Sequence, residues 1–299
     1  MDDYGNPDEA AAADVEDGSS RRARHRTMAG VFRIPDEMWE RIEPLIPAPA
    51  KAHRFGGGRR RVFDREVLDG IFFVLRTGSQ WRALDATGIC NGATAHRRFQ
   101  EWQQAGLFEA LWEQALRDYD AELGIDWAWL PIDGSMGKAR WEARRRGRNP
   151  TDRGKLGAKR SVMVEAAGIP IGLATDGANR NDCKLTEPTI SSIPIERPRA
   201  STEALQGVCL DKAYDHDFVR EMLDELDFVE HIRSRGEEAR ELREDLGERA
   251  RRWVVERVHS WINRYRALLI RWSKKPDNHD ALLKFSFALI TWQQTGVTR

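Results

Sequence analysis

The sequence predicts an α/β protein with a mixed sheet and flanking helices, preceded by a small all-α, helix-turn-helix-like domain. Three observations predict it. Residues 64–121 read as successive helices separated by short glycine-containing turns. After about residue 126 the pattern changes to short apolar runs. Two of these runs lead straight into a carboxylate, Asp133 after Ile132 and Asp211 after Leu210. From there strand and helix patterns follow as strand, strand, strand, helix, strand, helix, strand, helix, an order that builds a sheet covered by helices.

Each element has its own warrant. Residues 35–46 suit a short helix, with Asp36 as the cap and Met38, Ile42, Leu45 and Ile46 on one face. Residues 47–61 hold two prolines and three glycines and end in Arg59, Arg60 and Arg61, a loop finishing in a basic clamp. A helix over 64–76 carries Val67, Leu68, Ile71, Phe72 and Leu75, and Gly78 stops it. Residues 79–85 form a short second helix. Residues 93–105 form a third, where His96, Arg97, Arg98 and Gln100 interleave with Phe99 and Trp102, and a fourth runs over 107–121. A basic third helix fits DNA reading; an ordinary bundle with a charged face is the plainer alternative. Residues 161–166 and 169–175 form a hairpin around Gly168, and a helix covers 182–191. Residues 208–210 make a buried strand, 214–226 an amphipathic helix, 228–232 a strand and 237–250 a charged helix. Over 250–273 Val254, Val258, Trp261, Tyr265, Leu268 and Trp272 recur in steps of three and four, one stripe on one long helix.

The chain has 299 residues and a formal net charge of zero, from 48 basic and 48 acidic side chains. The zero is a sum of blocks. Residues 1–20 carry seven acids and no base, the composition of a disordered tail. Residues 51–65, 134–160 and 251–275 carry net charges of +5, +8 and +7, whereas 215–248 carries −8. Dense positive blocks are candidate phosphate-binding surfaces, so the overall balance does not exclude DNA, and the acidic 215–248 stretch is expected to face away from it. No apolar run approaches membrane-spanning length and no secretory leader is recognisable, so a cytoplasmic location is the expectation. Cys90, Cys183 and Cys209 are too few and too scattered for a disulfide framework or a zinc site.

Asp133 and Asp211 each follow an apolar strand, and a buried strand does not end in a carboxylate without a reason or a route to water. Asp133-Gly134 is also a turn signal, so either acid can simply begin a turn. Glu256 lies off the apolar stripe among Arg251, Arg252 and Arg257, where an i,i+4 pair with Arg252 is the plain reading. Three carboxylates brought together repel one another and need divalent cations to remain ionised. Such a set holds Mg²⁺, and two ions can serve an in-line phosphoryl displacement.

At this point a family resemblance emerges. Asp36-Glu37-Met38-Trp39-Glu40-Arg41-Ile42-Glu43-Pro44-Leu45-Ile46-Pro47, Gly78-Ser79-Gln80-Trp81-Arg82-Ala83-Leu84, Arg97-Arg98-Phe99 and Trp102 come first. Ile132-Asp133-Gly134-Ser135, Leu210-Asp211-Lys212-Ala213-Tyr214-Asp215 and Val254-Val255-Glu256-Arg257 follow. In order and spacing these pieces resemble the DDE-type transposases of bacterial insertion sequences, which have a ribonuclease H-like catalytic core. The likeness runs from about Ile34 to Trp292, with Gly168-Ile169-Pro170 and Asn179-Arg180-Asn181-Asp182 matching the family's hairpin and the loop after it. It implies Asp133, Asp211 and Glu256 as catalytic, metal-binding acids for two Mg²⁺ ions, with Mn²⁺ as an alternative. Arg252 matches an arginine often found four residues before the glutamate. Arg249 and Asn263 stand where relatives often have Tyr and Lys, leaving Arg264 or Arg266 to take the phosphate contact.

The implied activity is metal-dependent cleavage of DNA at the ends of the element, followed by strand transfer into target DNA. A nuclease that cuts without joining, and a degenerate DNA-binding relic, are the alternatives. The expected organisation is a tail over 1–30, a helical DNA-binding domain over 31–122 and a catalytic domain over 123–299. DNA contacts are expected from Arg59, Arg60, Arg61, His96, Arg97, Arg98, Lys138, Arg144, Arg145, Lys155, Lys159, Arg252, Arg257, Arg264 and Arg266. The partners implied are double-stranded DNA and a second protomer, with nucleoid association through the DNA. Gly154-Lys155-Leu156 is no phosphate-binding loop, so no nucleotide cofactor is expected. Because the likeness starts after Met28, residues 1–27 are expected to be dispensable.

Overall fold

The computed structural model describes residues 32–49, 61–140, 145–233 and 253–296. Residues 1–31 and 50–60, Arg144, the segment expected to be a helix over 237–250, Arg249 and Arg252 lie outside the described residues.

The N-terminal third is helical. Helix α1 spans Asp36–Ile42 and runs into a 3-10 turn, Glu43–Leu45. Pro35, not Asp36, holds its N-cap position; Asp36 sits in the first turn and pairs with Arg65 instead. Helix α2, Asp64–Thr77, buries Val67, Leu68, Ile71, Val74 and Leu75 on one face and ends at Gly78, whose φ of 67° closes the helix in the left-handed region. A 3-10 turn, Trp81–Ala86, leads to helix α3, Gly92–Gln104, capped by Asn91 accepting from the Thr94 N–H at 3.1 Å. Helix α4 spans Leu107–Leu123.

The remainder is α/β. In chain order it comprises β1 (Leu130–Ala139), β2 (Gly147–Arg148), β3 (Leu156–Val164), β4 (Pro170–Gly177) and α5 (Thr186–Ser191). Then come β5 (Gly207–Asp211), α6 (Asp217–Glu225), β6 (Val229–Arg233), α7 (Trp253–Asn263), β7 (Ile270–Arg271) and α8 (Pro276–Gln294). The sheet runs β4-β3-β1-β5-β6, antiparallel across β4, β3 and β1 and parallel across β1, β5 and β6. Short β2 pairs with β3, and β7 pairs with the far end of β1. This mixed order is that of a ribonuclease H-like core.

Three elements differ from expectation. Strand β1 does not stop at Asp133-Gly134: it continues to Ala139, because β3 pairs with it from Ile132↔Met163 to Lys138↔Gly157 and overrides the turn signal. Asp133 therefore lies inside a strand. The 250–273 stripe is not one helix. Helix α7 ends at Asn263, the chain makes a 3-10 turn at Arg266–Leu268, and Ile270–Arg271 pair with Lys138–Ala139. Tyr265 and Leu268 still face the core, which is why the spacing mimics a helix. Helix α8 has no amphipathic signature, since it is buried on nearly every side from Ala281 to Trp292.

One apolar core joins both halves, from Ile34 and Trp102 through Val162 and Val258 to Trp292. Helix α4 is its hinge of contact. It packs along α8, where Trp292 Nε1 donates to Asp118 at 2.9 Å, and Trp112 Nε1 donates to the Pro170 carbonyl at 2.8 Å. Among the described residues no helix is long and apolar enough to cross a membrane.

Candidate active site

The acids are positioned by the centre of the sheet. Parallel strands β1 and β5 pair at Leu130↔Val208 and Pro131↔Cys209. Asp133 and Asp211 each stand two residues past the last of these pairs, so they occupy the same level on neighbouring strands. Helix α7 packs across β1 and β3 and carries exposed Glu256 in its first turn. One turn further on, His259 is buried, and its Nε2 lies 3.7 Å from the Asp133 carboxylate. Burial, with Arg160 nearby, pushes the His259 imidazole down to about 3, so the ring is neutral beside Asp133.

The donor set is chemically suited to Mg²⁺ or Mn²⁺: all three are hard carboxylate oxygens. Tyr214, three residues after Asp211, is buried, and its hydroxyl has no hydrogen-bond partner among the described residues, a group able to donate to an ion's ligand oxygen. The acids are not drawn into a closed cage. Among the described residues no three His, Cys, Asp or Glu side chains are arranged to enclose an ion. The Asp211 carboxylate instead accepts from the Lys212 N–H at 2.6 Å.

The cationic residues fall into distinct groups. Lys138, Lys155, Arg264 and Arg266 are exposed. Arg61, Arg97 and Arg145 are exposed too, but pair with Asp64, Glu101 and Asp280 at 2.9, 2.9 and 2.8 Å. Arg98 is buried against Trp102 and pairs with Asp64 and Glu101, so it braces the helices. Lys159 is likewise buried, held by Asp182 at 2.7 Å. Arg257 is clamped between the rings of Trp253 and Trp261, 4.6 and 4.8 Å from their centroids, and donates to the Ala167 carbonyl. His96 stacks on Trp81 in a cleft of about 540 Å³ that Phe99, Trp272, Lys274 and Lys275 also line. Arg59, Arg60, Arg144 and Arg252 lie outside the described residues.

The sequence names several of these residues without showing what they touch, and it misses His259 and Arg160 altogether. Asn263, a departure from the family pattern, accepts from Arg160 at 2.9 Å. Arg160 is buried, which lowers its guanidinium to about 10. His259 borders Asp133, whereas Asp182 and Lys159 lie beside Gly134 on the other face of β1. The one signal for them is that Lys159 and Arg160 precede the apolar run Val162–Val164, where a cation is tolerated only if paired.

The fold defines a class, α/β proteins whose mixed sheet has a ribonuclease H-like strand order, with two acids level on its adjacent parallel strands. Comparison with known proteins gives the family. The profile described as "Transposase DDE domain" matches residues 123–290, more than half of the chain, and that of the "Putative transposase of IS4/5 family" matches residues 34–112. The chain belongs to the DDE-domain transposases. It is similar to the putative transposase for insertion sequence element IS402 of Burkholderia cepacia, at 34% identity over 51% of this chain and 71% of that protein. A 16.2 kDa protein of the same element is 39% identical over 39% of this chain and 80% of its own length. The Mos1 mariner paired-end complex with Mn is 10% identical and covers 88% of this chain and 97% of that one, but its TM-score of 0.26 carries no weight for the fold. The enzyme is thus a DNA transposase. Neither the cutting-only nuclease nor the inactive relic is favoured.

Proposed function

We propose that Asp133, Asp211 and Glu256 are the acids that hold the divalent cations of this transposase, two Mg²⁺ ions with Mn²⁺ as a substitute. The observation that carries the reading is the level placement of Asp133 and Asp211 on adjacent parallel strands, with the Glu256 helix packed across β1. Cations bound there would activate the attacking water or 3′-hydroxyl and stabilise the leaving oxygen. The chain's own groups do the rest. Neutral His259 packs against Asp133. Exposed Lys155, Lys138, Arg264 and Arg266 hold the phosphate backbone, and the helices of 31–122 read the element ends. Catalysis belongs to 123–299, two protomers pair two ends, and the enzyme works at the nucleoid without a nucleotide cofactor.

The test uses purified enzyme, Mg²⁺ and DNA carrying the inverted repeats that flank the coding region, with cleavage and joining scored separately. Asp133→Ala, Asp211→Ala and Glu256→Ala are each expected to abolish both products while the folded protein still binds the DNA. Retained joining in any of them removes that residue from the site.

A further inference from the structure

We infer that a pocket along β1 from Asp133 takes one phosphodiester of the bound DNA, with the buried guanidinium of Arg160 as its anchor. That this phosphate lies next to the cut rests on Asp133 being one of the reaction's acids. Side chains alternate along β1, so Ser135 shares a face with Asp133, and the cross-strand neighbour of Ser135 on β3 is Arg160. Helix α7 packs over the same face. Its His259 Nε2 lies 3.7 Å from the Asp133 carboxylate, and Asn263, four residues on, accepts from Arg160 at 2.9 Å. Strand and helix thus agree: the Ser135–Arg160 pair sits one strand repeat, about 7 Å, along from Asp133. A cavity of about 150 Å³ opens there, lined among others by Ser135, Lys138, Arg160, Asn263, Arg271 and His279. Lys138 and Asn263 are exposed, so the cavity is reached from solvent. It has room for several waters, and so for one tetrahedral oxyanion.

Arg160 itself points to an anion. It is 8% exposed, and among the described residues its guanidinium donates to the Asn263 amide oxygen and pairs with no carboxylate. Its Nε is buried without a hydrogen-bond partner among those residues. No Asp or Glu lines the cavity. The carboxylates that act on Arg271, Asp280 and Asp277, stand outside it, and Asp280 is held by Arg145 and Thr175, both at 2.8 Å. Burial brings the Arg160 guanidinium down to about 10, which leaves it charged at neutral pH. His279 is neutral there, so its ring can donate a hydrogen bond without adding charge. A buried charge without a counter-ion opposes folding, and a phosphate oxygen supplied by the substrate offsets it. The guanidinium fork suits that ligand, since it can present two parallel N–H groups to two phosphate oxygens.

The test is binding of the full chain, without metal, to duplex DNA carrying the flanking inverted repeat. One phosphate at a time around the cleaved bond is replaced by an uncharged methylphosphonate. One position next to the cut is expected to weaken wild-type binding about 10-fold or more. Arg160→Gln is expected to weaken binding to unmodified DNA by a similar factor and to lose nothing further at that position, because the contact is already gone. Should that variant not fold, Asn263→Asp gives Arg160 an internal carboxylate. It is expected to raise the unfolding midpoint and to remove the same methylphosphonate sensitivity. Losses that simply multiply at every position overturn the proposal and leave Arg160 a brace between β3 and α7. An Arg160-dependent rise in midpoint with inorganic phosphate, without coupling to any DNA position, also overturns it, since the pocket then serves a free anion. Coupling of Arg160 to a phosphate remote from the cut supports the pocket and removes Asp133 from the reacting centre instead.

Discussion

At the scale of single residues, the space around Gly134 sets the sharpest constraint. A Cβ at Gly134 meets Asp182 Oδ1 at 2.0 Å and its Cγ at 3.0 Å, and Asp182 cannot swing away without releasing Lys159. Gly134→Ala is expected to lower DNA cleavage at least about tenfold, since displacements near 1 Å at a reacting centre have effects of this size. Gly137→Ala, on the same strand with nothing nearer than 3.7 Å, is the control and should cleave normally. A second residue governs pH dependence. His279 is buried among Arg271, Arg160 and Arg146, and burial pushes its imidazole from 6.5 down to about 3. The unfolded chain then takes up this proton first as pH falls. The stability His279 confers is whole above about pH 6.5 and drains away toward pH 3, a loss of about 2 kcal/mol by pH 5. Urea unfolding at pH 7 and pH 5 should show that drop, and His279→Gln should shrink it. The residues differ in how legible they were. Asp133 and Asp211 announce themselves by following apolar runs. Lys159 and Arg98 sit in basic clusters and read as DNA contacts, because composition cannot show that a neighbour folded from afar has claimed the charge.

At the scale of elements, local pattern served where one face is buried and failed where tertiary pairing decided. Helices α2, α3 and α4 follow their apolar spacing, and Gly78 ends α2 as its chemistry demands. Strand β1 runs through a turn signal because β3 supplies its hydrogen bonds. Helix α8 gave no periodic signal because α4 and the core enclose it. The α4–α8 contact is therefore where the two halves of the molecule are joined, and Asp118 is its polar centre. Its carboxylate accepts from Arg41 at 2.6 Å, Gln114 at 2.8 Å and Trp292 Nε1 at 2.9 Å. Asp118→Ala strands a buried indole N–H and is expected to destabilise the chain by about 1–3 kcal/mol in urea unfolding. Gln114→Ala, which removes only one part-buried donor, should have a smaller effect.

At the scale of the whole molecule, the zero net charge conceals a division of labour among cations. Part of the positive charge in 134–160 and 251–275 is internal: Lys159, Arg160 and Arg271 are buried, and Arg257 is clamped between two tryptophans. Of the acidic 215–248 stretch, residues 215–233 are described, and there Arg220 bridges Asp215 and Glu230, while 234–248 lie outside the described residues. The block totals thus overstate the charge available to DNA, which, beyond the Arg160 pocket, rests with exposed groups such as Lys155, Arg264 and Arg266. Counterion release turns this into numbers: each lost phosphate contact lowers the slope of log affinity against log salt by about 0.9. Lys155→Ala, Arg264→Ala and Arg266→Ala are each expected to reduce that slope by about one, measured by fluorescence anisotropy on duplex DNA, and to weaken binding to unrelated sequences equally. Arg257→Ala should leave the slope unchanged while lowering the unfolding midpoint, because its guanidinium stacks between rings rather than facing solvent. A slope that responds to Arg257 and ignores Lys155, Arg264 and Arg266 would move the DNA path to the opposite face of α7.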